Sequence, residues 1–210
     1  MKRSVIGMLC VSVALAGVMF CAPVYGFDLG LHLGYHGGVG TAEPWSDNDT
    51  YAEADQEIEG ISVGLLIDSP IADGILSNRL MLLYQGGTMW FAETVDQPDI
   101  EYDISRYAVY DTLAFSLASD TSYRFWLGPQ LGVFLVSATD DIIEADWSGF
   151  GLGIGGMMGM DFIVNESFVI GIEAGLRVYG LTMEADNQLN NGADVYGVEG
   201  VLGVAALLRI

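Results

Sequence analysis

Two histidines four residues apart, His32 and His36, are the first side chains in this sequence with the makings of chemistry. They stand in Phe27-Asp28-Leu29-Gly30-Leu31-His32-Leu33-Gly34-Tyr35-His36, where apolar and non-apolar residues alternate without a slip. Alternation with period two describes a strand with two unlike faces, and both histidines fall on the polar one. Four residues along a strand span about 13 Å, too far for the pair to grip one metal ion. A catalytic histidine needs a nucleophile and an orienting acid, and the sequence supplies no serine set beside a paired acid. The pattern points to hydrogen-bonded histidines inside the fold and to a protein that is not an enzyme.

Hard oxygen ligands are the second chemistry on offer. Nineteen of the 28 acids fall in four segments, 41–59, 91–103, 138–146 and 181–194, which contain no lysine or arginine. Ser46-Asp47-Asn48-Asp49-Thr50 gathers oxygens suited to a divalent cation such as calcium, and Asp140-Asp141 adds an acidic pair, yet no complete calcium-loop motif is present. Two readings stand: a solvated anionic surface that resists aggregation, and cation binding at Asp47, Asp49, Asp140 and Asp141. No other cofactor is expected.

Basic groups are few. From Phe27 onward they are Arg79, Arg106, Arg124, Arg177 and Arg209, and these five against 28 acids leave residues 27–210 with a net charge of −23. Nucleic acid and anionic lipid surfaces are therefore poor partners. The first 26 residues stand apart: a basic start at Lys2 and Arg3, an apolar stretch Val5 to Phe20, and small or aliphatic residues, Val24 and Gly26, before a cut ahead of Phe27. This is the layout of a cleaved secretory signal peptide, an uncleaved membrane helix or a lipoprotein site at Cys21 being the alternatives. Cys10 and Cys21 both lie in it, so the exported domain, 27–210, carries no thiol.

The elements that must position these groups repeat the opening pattern. Alternating segments recur at 61–68, 79–90, 104–118, 123–137, 147–164, 168–179 and 195–210, each with Leu, Ile, Val, Met or aromatic residues on one face. The opposite face is small and polar, as in Gly151, Gly153, Gly155, Gly159 and Asp161. A soluble barrel turns its apolar face inward; here the second face suits a narrow filled lumen, and the apolar face suits lipid. Eight strands, with long connections alternating with mostly short ones, predict an all-β, eight-stranded antiparallel transmembrane barrel with long extracellular loops and short periplasmic turns. Aromatics near the strand ends (Phe27, Tyr123, Phe162 and Phe168 at one, Tyr35, Trp90, Tyr107, Trp147 and Tyr196 at the other) suggest two interfacial girdles.

Depth then pairs the charges. Asp28 and Arg209 fall at the same level where the barrel closes, Asp68 beside Arg79, Arg124 beside Asp161, and Arg177 beside Glu199, with Glu173 on the same inner face. These residues predict a lumenal ion-pair network, read as a plug, with a polar path for solutes as the alternative. Asp111 breaks the pattern, since alternation places it among Val109, Leu113 and Phe115 on the lipid face. A bulge near Tyr110 to Thr112 is expected to turn it inward.

Leu127-Gly128-Pro129-Gln130-Leu131-Gly132-Val133 and the glycine-rich run from Gly151 to Phe162 look like the fifth and sixth strands of a known group. The chain resembles the small eight-stranded outer-membrane proteins of the OmpA-barrel, OmpX and OmpW type. The alternating C-terminal residues Val204, Ala206, Leu208 and Ile210 resemble the signal read by the barrel-assembly machinery, although an aromatic is usual where Ile210 stands. The resemblance implies residence in the outer membrane of a diderm bacterium, among its lipid, with both termini periplasmic. It also implies a structural, adhesive or ligand-contacting surface role toward an extracellular ligand or host surface, or OmpW-like passive uptake of small hydrophobic solutes.

Overall fold

The computed structural model describes residues 26–45, 53–72, 75–92, 100–140, 145–185 and 191–210. These form eight strands: β1 (Asp28–Trp45), β2 (Ala54–Ala72), β3 (Leu76–Ala92), β4 (Ile100–Ser119), β5 (Tyr123–Asp140), β6 (Ala145–Asn165), β7 (Phe168–Ala185) and β8 (Gly192–Arg209). Each pairs antiparallel with its neighbours in the chain, and β8 pairs back onto β1, so the sheet closes into a barrel. The seam runs from Asp28 opposite Arg209 to Trp45 opposite Gly192. The end bearing Asp28 and Arg209 is called the terminal end below, and the other the far end.

Alternation sets which face each residue takes. Leu31, Leu65, Ile154, Leu176 and Leu202 project outward and are exposed, Leu176 at 65 %. Exposed large apolar side chains on every strand, aliphatic on all but β3, where Tyr84 is the exposed one, make a continuous apolar belt suited to a lipid environment. Tyr35, Tyr84, Tyr107 and Tyr196 stand on its far-end side, Tyr84 directly opposite Tyr107 with ring centroids 5.3 Å apart.

The inner face is small where something large must cross it. A side-chain carbon on Gly159 would meet the ring of Trp126, and one on Gly203 would meet His32. The glycines of β6 and β8 thus leave room for bulky lumenal side chains of other strands, at some cost in local strand stability.

The strands run well beyond the lengths the alternating pattern predicts. What lies between strands at the far end shrinks to 46–53, 93–99, 141–144 and 186–191. Most of the four acidic segments expected as loops is therefore strand. The reason is an inversion of polarity: in the far-end part of β2, Ile58 points inward and Asp55, Glu57 and Glu59 point outward. The backbone ladder continues there, but the apolar face has changed sides, so a search for a lipid-facing stripe stops too early. Asp47, Asp49 and Asp141 lie outside the described residues, as does the export segment up to residue 25.

Asp111 also departs from expectation. No bulge occurs at 110–112; the register of β4 against β3 is unbroken and Asp111 sits opposite Leu80. Its side chain stays on the outer face, where Asn78 Nδ2 donates to Asp111 Oδ1 at 2.5 Å. A local amide donor satisfies the carboxylate, so the ladder is not distorted to bury it. The register shifts instead fall at Pro70/Ala72, Ser116/Ala118 and Ile163/Asn165, each just before a terminal-end turn. Bulges there add twist where the strand must reverse.

Candidate functional site

The lumen holds two layers of charge beneath an apolar upper half. In the layer nearer the terminal end, Arg79 of β3 donates through Nη1 to Asp68 of β2 at 3.1 Å and to Asp161 of β6 at 3.0 Å. Its Nη2 lies 3.5 Å from Glu173 of β7, and its guanidinium stacks 4.3 Å from the Trp126 ring centroid. Arg124 of β5 donates to Asp161 through Nε at 2.9 Å and through Nη2 at 2.6 Å, and also to Asp68. Its Nη1 reaches Ser77 Oγ at 3.4 Å. His32 Nε2 stands 3.0 Å from Glu173 Oε1, both buried.

The middle layer is built around Glu199 of β8. Arg106 of β4 reaches it at 2.8 Å from across the barrel, and Arg177 of β7 at 3.2 Å from the adjacent strand. Arg177 also donates to Gln130, whose amide donates to Thr112 Oγ1 at 2.8 Å, and its guanidinium lies 3.7 Å from the centroid of Tyr110. Arg106 stacks 4.6 Å from the centroid of Phe134. His36 is fully buried on the same inner face.

Buried arginines Arg79, Arg106 and Arg177, with partly buried Arg124, face buried Asp68, Asp161, Glu173 and Glu199. Their formal charges cancel, and with His32 from β1 every strand contributes at least one member, β7 contributing both Glu173 and Arg177. Charges removed from water are tolerated only when paired and hydrogen-bonded, and this set pairs across the lumen as well as along its wall. Above it, Tyr179 Oη donates to Gln56 at 2.7 Å, and then Ile58, Met89, Ile104, Leu181, Met183 and Val195 pack the far-end half as buried apolar side chains.

All the pairs that depth suggested come into contact. Asp68 with Arg79, Arg124 with Asp161 and Arg177 with Glu199 are buried in the lumen, whereas Arg209 meets Asp28 at 3.6 Å on the open rim of the seam. Reasoning from neighbouring strands misses the contacts that span the barrel: Arg106 with Glu199, Arg79 with Asp161, and Arg124 with Asp68. One signal was present, since Arg106 sits on the inner face of its strand with no acid at its level next door. The aromatic platforms Trp126, Tyr110 and Phe134 were equally unmarked. Asp140 is the last residue of β5. Among the described residues no three acids or histidines gather as a metal site.

At the far end the outer face turns acidic. Glu43, Asp55, Glu57, Glu59, Glu101, Asp103, Asp146 and Glu184 project outward from five strands, just beyond the tyrosines. Tyr35 Oη donates to Glu59 at 3.1 Å, joining girdle to collar.

No protein-family model matches the chain, and no curated protein matches it in sequence. Its fold is nevertheless found among solved structures. The outer membrane protein OprG from Pseudomonas aeruginosa superposes with a TM-score of 0.66 at 13 % identity, covering 89 % of this chain and 96 % of that one. Neisserial surface protein A gives 0.42 at 16 % identity over 82 % of this chain and 95 % of its own. The attachment invasion locus protein Ail of Yersinia pestis gives 0.39 at 14 % identity over 89 % and 100 %. The likeness to OprG establishes the fold: this is a small eight-stranded barrel of the outer-membrane type.

Proposed function

We propose, from the premise that this chain is an outer-membrane β-barrel, that it is a non-enzymatic scaffold with a locked lumen and an acidic extracellular rim that makes the contacts. The far end faces outward and the termini face the periplasm, where the barrel-assembly machinery delivers the chain into outer-membrane lipid. The observation that carries this reading is the charge-balanced network drawn from all eight strands, with its buried arginines stacked on aromatic rings. Such a network ties the wall together from inside and occupies the path a solute would take. The rim's carboxylates are the surface offered to an extracellular ligand or host surface, with calcium or another divalent cation as the bridging group where that surface is itself anionic. Single-channel recording of the reconstituted protein tests the lock. A closed barrel is expected; a large, stable open pore overturns the reading. In the Arg79→Ala, Arg124→Ala double variant, open events are expected.

A second reading rests on the split of the lumen. An apolar upper half above a charged floor suits entry of a small hydrophobic solute from outside, which then leaves through the wall rather than the floor. Flux of such a solute into liposomes carrying the barrel, compared with empty liposomes, decides it; equal flux removes this reading.

A further inference from the structure

The outward pair Asp111 and Asn78 has no place in a scaffold that acts alone. Among the described residues Asp111 is the only ionisable side chain on the outer face between the two aromatic girdles, and Asn78 is the only amide there. They are diagonal neighbours on β4 and β3, joined at 2.5 Å, with the Thr112 backbone as the other contact of the carboxylate. Toward the far end, the same face is concave: Val63, Leu82, Tyr84, Tyr107, Val109 and Leu135 line a depression of about 380 Å³ on the outer wall. The remaining faces of the belt are uniformly apolar.

A polar pair in hydrocarbon is costly, and acyl chains offer it neither donor nor acceptor. Asn78 has a second N–H and its amide oxygen to spare, and Asp111 a second carboxylate oxygen. The pair is thus complementary to itself. A two-fold axis along the membrane normal preserves depth, so a polar group at a given depth meets the same group on its twin. Asn78 of each copy then donates to Asp111 of the other, and each carboxylate faces an N–H rather than the opposite carboxylate. No lipid-facing arginine exists among the described residues to serve instead.

We infer that the outer face of β3 and β4 is a self-association surface, and that its occupant is a second copy of this chain. The hydrogen bonds set register and depth, and the adjoining concavity receives apolar side chains of the partner barrel.

Cysteine cross-linking in isolated membranes of a bacterium expressing the full chain tests this. Val109→Cys, beside the pair, is compared with Ile172→Cys on β7, on another side of the barrel, and with the unsubstituted chain as background for Cys10 and Cys21. A short bis-maleimide is expected to give a band of twice the monomer mass for Val109→Cys only. Adding Asn78→Leu and Asp111→Leu is expected to lower that band about tenfold, the worth of two reciprocal hydrogen bonds in a membrane, whereas Asp111→Asn retains it. Heat-dependent gel mobility shows that each variant is folded. Equal dimer at both cysteines, no dimer, a product of another mass, or a dimer indifferent to the two leucines would each overturn the proposal.

Discussion

Glu199 is the acid that both Arg106 and Arg177, each fully buried, contact as an ion pair. Replacing it with Gln leaves the buried Arg106 and Arg177 without a counter-charge. The expected loss is about 3–5 kcal/mol, measured by urea unfolding in lipid or detergent. Arg209→Ala is the contrast: its partner Asp28 is also at matched depth, but the pair is 41 % and 25 % exposed. An exposed pair of this kind contributes about 0–1 kcal/mol, so a loss as large as that of Glu199→Gln would show that the seam pair does more than the geometry indicates. Depth along the strand was thus readable from spacing alone. Burial, which decides the energy, depends on how far each side chain reaches into the lumen, and spacing does not carry that.

At the scale of the element, β6 shows what glycine does in this wall. Gly159 faces inward against Trp126, while Gly156 faces outward with its nearest neighbour, the Gly128 carbonyl, 3.9 Å from where a side-chain carbon would stand. Gly159→Leu is expected to push Trp126 off Arg79 and to cost about 1–3 kcal/mol. Gly156→Ala is expected to change stability by less than about 0.5 kcal/mol. Equal effects at the two sites would mean that glycine acts in β6 through backbone freedom rather than through space. The eight strands and their facing were legible because lipid imposes one predominantly apolar side on each, broken only by Asn78 and Asp111 between the girdles among the described residues. The far-end thirds of β2, β4 and β8 were not, because there the outward residues are acids such as Glu57, Asp103 and Asp194 and the inward ones are apolar. Cross-lumen partners such as Arg106 and Glu199 stayed hidden for another reason: which side chains meet across a barrel depends on tilt and stagger, and one chain's alternation is silent about both.

For the whole molecule, charge is separated by location: balanced in the lumen, strongly negative on the far-end collar. Outward carboxylates two residues apart on β2, Asp55, Glu57 and Glu59, repel one another along the strand and face no outward cation among the described residues. Screening falls to a length of about 10 Å at 0.1 M salt, so added salt should relieve this repulsion. A melting temperature that rises by about 2–4 °C corresponds to ~1 kcal/mol for a domain this size. Calcium at low millimolar concentration is expected to exceed the same ionic strength of sodium, and identical melts in calcium and in chelator would remove the bridging role. The seam has a further consequence. Strand β1 finds its last partner only when β8, lying about 160 residues away in the chain, comes into register along the full run from Asp28–Arg209 to Trp45–Gly192. Until then two long unpaired edges are open to other chains. Closure is therefore expected to be the slow step of folding, and the time before it the period of greatest exposure to misassembly.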